Sequence, residues 1–147
     1  MIQRIQTIFL LLVAAAFGGL LALPFATSAI NDSPDATLFA DGRYMVFDAL
    51  TLELLTGVGI LLALISIFLY KRRKMQLRFG YLLIGIALAL SILAFFFLSN
   101  RPETSVTTSI HLGAGLALPP ASIIFALLAN HFIRKDDKLI KSMDRLR

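Results

Sequence analysis

Long runs free of ionised side chains dominate the chain. The first extends from Ile5 to Asn31 and thins in apolar density after Phe25. The second extends from Leu54 to Tyr70, with Ala49 to Leu52 lengthening it beyond Glu53. The third is Phe79 to Asn100, and the fourth is Thr104 to Ile133 if His is counted neutral. A helix needs about 20 apolar residues to cross a hydrocarbon core about 30 Å thick. Trimmed to their apolar cores, the runs predict spans at 5–25, 50–70, 79–99 and 110–132. Any one run, taken alone, also suits the core helix of a soluble protein. Four of them in 147 residues leave too little polar helix surface to face water. The pattern therefore predicts an all-α membrane protein, a four-helix transmembrane bundle occupying one domain, residues 1–147.

Composition agrees. Apolar residues make up 58% and charged residues 16%, against about 45–50% and 25% in ordinary globular chains. That excludes a disordered chain. The lack of Cys removes disulfides, thiolate metal sites and cysteine nucleophiles together.

The net charge of +5 gains its meaning from position. Arg4, Lys71, Arg72, Arg73, Lys74, Arg78, Arg134, Lys135, Lys138, Lys141, Arg145 and Arg147 fall on one side of the expected spans. Only Arg43 and Arg101 fall on the other, beside Asp32, Asp35, Asp41, Asp48 and Glu103. By the positive-inside rule both termini lie in the cytoplasm. The basic residues from Lys71 to Arg78 and from Arg134 to Lys141 are then expected against anionic lipid headgroups, and nucleic acid is not expected as a partner. A signal peptide is the rival reading of the N-terminus. The first apolar stretch exceeds the usual 7–15 residues of such a segment.

The first outer loop, residues 26–48, contains Asp41-Gly42-Arg43 between Thr37–Ala40 and Tyr44–Phe47. Asp-Gly between β-prone runs predicts a small periplasmic β-hairpin, serving as a lid on the bundle or as an edge for a partner. The tail, residues 133–147, carries Leu139, Ile140, Met143 and Leu146 on one helical face. It predicts a cytoplasmic amphipathic C-terminal helix lying on the inner leaflet; a solvated extension of span four and a docking helix are the other readings.

Small residues recur every fourth position: Ala14, Gly18 and Ala22 in span one, Gly85 and Ala89 in span three, Gly113, Ala117 and Ala121 in span four. Such stripes let helix backbones approach closely in lipid, within one bundle or between copies. Pro119-Pro120 falls mid-span, where a kink is expected. Broken helices mark transporter sites and also occur as static shape.

Candidate chemistry is sparse. Glu53 is the one acid within a span, near its outer end if Asp48 caps the helix. His111 stands at similar depth, so Glu53 and His111 form a possible polar, pH-sensitive pair. His111 and His131 are 20 residues apart, about 30 Å along one helix, which excludes bis-His haem within the chain. No nucleophile–base pair, phosphate loop, carboxylate pair or metal-ligand set is found, so neither an enzyme nor a cofactor is expected.

The opening Met1-Ile2-Gln3-Arg4-Ile5-Gln6-Thr7 and the ending Leu128-Ala129-Asn130-His131-Phe132-Ile133-Arg134-Lys135-Asp136-Asp137, closing with Ser142-Met143-Asp144-Arg145-Leu146-Arg147, resemble a family of small four-span inner-membrane proteins of Bacteroidota, a domain of unknown function. The resemblance covers the whole chain and implies four spans and a bacterial inner membrane, with no activity to carry over. The family pattern often has Arg where this chain has His131, which argues against an essential ligand there.

The sequence thus leads to a non-enzymatic inner-membrane protein, an accessory or structural subunit with a membrane-protein partner or a second copy of itself. A small oligomeric transporter or lipid-binding protein, using a cavity at the kinked fourth helix, is the alternative. An outer-surface enzyme would need Asp41, Arg43, Asp48, Glu53 and His111 to converge.

Overall fold

The computed structural model describes residues 2–28, 42–100 and 110–144. Within them are four helices: α1 (Ile2–Gly19), α2 (Leu50–Phe68), α3 (Arg73–Ser99) and α4 (Leu118–Asp144). Three short strands accompany them: β1 (Ala26–Ser28), β2 (Arg43–Tyr44) and β3 (Ile110–Leu112). Each helix packs on the next in the chain, and α4 returns to pack on α1. Three helical segments are long and apolar enough to cross a membrane, Leu50–Phe68, Arg73–Ser99 and Ala114–Ile140, and Ile5–Gly19 is a shorter apolar helix.

The buried positions alternate at spacings of four and three on every helix. On α1 and the turn after it they are Gln6, Leu10, Val13, Phe17 and Leu20, with Ala16 buried beside Phe17; on α2, Leu52, Thr56, Gly59, Ala63 and Ser66. On α3 they are Gln76, Gly80, Leu83, Ala87, Leu90 and Ala94; on α4 and its approach, Gly115, Pro119, Ser122, Ala126, Ala129, Ile133 and Asp136, with Asn130 buried beside Ala129. This average of 3.5 residues keeps one seam of each helix facing its neighbours, the geometry of left-handed helix packing. Large side chains on α1 meet small ones opposite: a Cβ on Gly59 would stand 2.9 Å from the Phe17 ring.

Helix ends depart from the expected spans for local reasons. The chain leaves α1 at Gly19, six residues before the expected end at 25. Gly18-Gly19 lowers helix propensity there, and Pro24 cannot supply the amide that a continuing helix needs. Conversely, α3 begins at Arg73 rather than 79, because charged residues end the apolar stretch without ending the helix. Asp48 does not cap α2. Its carboxylate accepts the Met45 N–H at 2.6 Å in the short 3-10 turn Val46–Asp48, and Ala49 precedes α2 with no side-chain cap.

The fourth segment differs most. Residues 110–112 are strand, Ala114–Ala117 is a 3-10 turn, and α4 runs unbroken from Leu118 to Asp144. Pro119 and Pro120 therefore stand in the first turn of α4 rather than in mid-helix. A missing N–H is tolerated there and a fixed φ suits the helix start. The tail is no separate helix, since residues 133–144 continue α4.

The strands form one antiparallel sheet in the order β2-β1-β3. Ala26 pairs with Tyr44 and Leu112, and Thr27 with Arg43 and His111. The described partner of residues 43–44 is thus β1; the expected pairing with Thr37–Ala40 lies outside the described residues. Gly42 takes a positive φ of 71° at the entry to β2, a backbone conformation that glycine adopts without steric cost. Beyond the strands, Phe25 N–H donates to the Tyr44 carbonyl at 2.8 Å, Gly113 N–H to Phe25 at 2.8 Å and Gly115 N–H to Pro24 at 3.0 Å. A Cβ on Gly113 or Gly115 would strike the Pro24 carbonyl, so the exit from α1 and the approach to α4 lie backbone to backbone.

Candidate functional site

The molecule is apolar outside and polar in places within. Phe68 is 80% exposed, Ile92 65% and Phe95 64%, while Gln6, Thr56, Ser66 and Gln76 are fully buried. Such a distribution suits lipid as the surrounding solvent and puts any polar function inside or at the ends.

Four of the buried polar residues, with Asp136, gather at one end of the bundle, where α1 and α3 begin and α2 finishes, against the second half of α4. Three contacts set the register there. The rings of Phe9 and Phe132 stack at 5.4 Å, joining α1 to α4. Gly80 lies against the Asn130 carboxamide, and Arg73 Nη2 stands 3.0 Å from Asp136 Oδ2, joining α3 to α4. Gln6 is one turn nearer this end than Phe9, as Gln76 is than Gly80. Ser66 comes one turn before the link from α2 to α3.

Both amide atoms of Gln6, Gln76 and Asn130, the Ser66 hydroxyl and Asp136 Oδ2 are buried without a hydrogen-bond partner in the protein. The Arg73 contact is an ion pair by distance, without the alignment of a hydrogen bond. An unmet buried polar group costs about 1–3 kcal/mol, and few natural structures leave many. Farther along the bundle the polar demand falls. Ser122 donates to the Pro119 carbonyl at 2.7 Å and Ser91 to Ala87 at 2.9 Å, leaving the Thr56 hydroxyl unpartnered.

Around this end lie the basic residues expected at lipid headgroups. Arg72, Lys74, Arg78, Lys135 and Lys138 are exposed, and so is Arg134, which stands 5.4 Å over the Tyr81 ring. Arg73 instead turns inward to Asp136. The side chains of Lys71 and Lys141 lie outside those described. Basic charge in the first turns of α3 opposes the helix dipole, and Asp136 offsets part of it. At the opposite end Tyr44 is fully buried, its ring 5.2 Å from Phe25 and its hydroxyl donating to the Ala94 carbonyl at 3.5 Å. Burial, with a smaller contribution from the Asp48 carboxylate, holds the Tyr44 phenol well above its ordinary pKa.

The other expected residues are dispersed. Glu53 is exposed in the first turn of α2 and His111 is exposed on β3, with no ion pair or hydrogen bond between them. Among the small residues, Ala14, Gly18, Ala89, Gly113 and Ala121 are half-buried, and Ala22, Gly85 and Ala117 are exposed. No atom lies within 4 Å of where a Cβ would stand on Gly18 or Gly85. Of the expected glycines only Gly113 makes close internal contact, at the Pro24 carbonyl; Gly59, Gly80 and Gly115, outside the expected stripes, do so as well. Among the described residues no group of three His, Cys, Asp or Glu is placed to hold a metal. Sequence reasoning passed over Gln6, Ser66, Gln76, Asn130 and Asp136 as a set. Their signal was polarity recurring on the 3.5-residue seam.

No curated protein and no solved structure matches the chain. A family model does, over residues 2–146, and with nearly every residue covered the chain belongs to the family described as Domain of unknown function (DUF4293).

Proposed function

We propose that this is a four-span protein of the bacterial inner membrane, with both termini in the cytoplasm, acting as a non-enzymatic accessory or structural subunit. The observation that carries it is the outward face of the bundle. Large apolar side chains surround it, yet Gly18, Gly57 and Gly85 have open space where a Cβ would stand. Glycines not used inside a bundle leave backbone open to a neighbouring helix, and close backbone approach is how helices associate in lipid. Although α1 has only 18 residues, that is about 27 Å of helix, near the thickness of the hydrocarbon core. The exposed bases around Arg72, Lys74, Arg78, Lys135 and Lys138 suit an anionic inner leaflet. With Pro119-Pro120 at a helix start, a transporter built on a mid-depth break in α4 has less support.

The test is crosslinking in the native host, followed by mild extraction and mass spectrometry. A stoichiometric membrane-protein partner or a homo-oligomer is expected. A monomer with no crosslinked neighbour would overturn the subunit reading.

A further inference from the structure

The end layer of buried polar groups has a chemistry of its own. Its members come from all four helices: Gln6, Ser66, Gln76 and Asn130. Apart from the Ser66 hydroxyl they are carboxamides, each offering donors and an acceptor with no net charge. The nearest ionised groups, Arg73 and Asp136, are oppositely charged and 3.0 Å apart. An ion would find no uncompensated charge here. An occupant that both donates and accepts, and is small enough to be enclosed, is called for. Deeper along the seam come Leu10, Val13, Ala63, Leu83, Ala87 and Ala126, which offer no side-chain hydrogen bond. The Arg73 and Asp136 side chains, 15% and 11% exposed, lie nearest the surface.

We propose that this layer is a hydrated site, in which internal water bridges Gln6, Ser66, Gln76 and Asn130, entering from the basic end beside the Arg73–Asp136 pair and stopping at the apolar seam below. Naming that end cytoplasmic rests on the membrane reading above; the hydration does not. Ordered water commonly makes about three hydrogen bonds to buried polar groups, which suits a layer of side chains that do not reach one another.

The whole chain, reconstituted in lipid bilayers, permits a direct test by solid-state NMR. It has only six carboxamide side chains, Gln3, Gln6, Asn31, Gln76, Asn100 and Asn130, so single Gln→Met and Asn→Ala variants assign each signal. Polarisation transferred from water is expected to reach the Gln6, Gln76 and Asn130 carboxamides nearly as fast as exposed Asn100. It should reach the backbone amides of Ala87 and Leu90 several-fold more slowly. Carboxamides as slow as Leu90 would overturn the proposal, as would equally fast transfer to Ala87. Transfer from lipid acyl chains to Ile92 and Phe95 is read in the same samples, so failure of the membrane reading registers separately.

Discussion

Gly80 on α3 and Asn130 on α4 are fitted to each other, because a methyl group at position 80 would fall on the Asn130 carboxamide. Asn130 is 3% exposed and sits on the packed seam, so it has little room to yield. Gly80→Ala is expected to destabilise the fold by about 1–3 kcal/mol, the usual penalty for overpacking. Gly85→Ala, with open space at its Cβ, is expected to be neutral or stabilising by up to about 1 kcal/mol through helix propensity. Unfolding in mild detergent measures both. Gly80→Ala combined with Asn130→Ala is expected to recover much of the loss, and strict additivity would show that the two residues do not meet.

The Arg73–Asp136 pair gives a second expectation. Both side chains are mostly buried, so removing one leaves the other charged in a poor environment. Arg73→Met and Asp136→Leu alone are each expected to cost about 2–4 kcal/mol, and the double variant clearly less than their sum. A double-mutant cycle reads the coupling. A coupling near zero would mean that water, rather than the partner, solvates each charge.

How much of this was legible in the sequence follows from what each signal measures. The charge-free runs located the apolar segments, and α2 came out as expected, at 50–68 against 50–70. They did not locate helix ends, since Arg73 to Arg78 continue α3 outward and Asp136 and Asp137 continue α4. The seams were hidden because the outer faces are as apolar as the inner ones. With Leu61 and Ile92 outside and Gln76 and Thr56 inside, ordinary amphipathicity carries no contrast. The stripes at four-residue spacing drift off a 3.5-residue seam, which is why Gly18 and Gly85 face outward while Gly59 and Gly80 pack. The sheet was not legible. Ala26–Ser28 and Ile110–Leu112 are three residues each and pair across most of the chain.

The proline pair separates two mechanical pictures. At a helix start each proline contributes mainly by restricting the unfolded chain, worth about 0.4–1 kcal/mol. Pro119→Ala and Pro120→Ala are therefore each expected to lose no more than about 1 kcal/mol and to leave the helical circular dichroism unchanged. A gain near 3 kcal/mol, as when an interior proline is removed from a helix, would restore the mid-helix kink. Pro119 is the more sensitive of the two, being buried where Pro120 is exposed.

Tyr44 supplies a pH dependence with a definite sign. Its phenol is enclosed by Phe25 and the end of α3, and burial raises its pKa above the ordinary value of 10. Below pH 10 folded and unfolded chains both hold the proton, and the full contribution to stability is present. Above pH 10 the unfolded chain releases it while the folded chain retains it, so stability falls as pH rises, by up to about 1.4 kcal/mol per unit from this group. Tyr44→Phe removes that component along with a hydrogen bond at the long limit of 3.5 Å. The variant is expected to be less stable than the parent by about 1 kcal/mol or less at pH 8, and to overtake it between pH 10 and 12. Contributions from groups common to both proteins cancel in the difference. Parallel stability curves over that range would mean that water reaches the phenol, and that the sheet does not close over this end of the bundle.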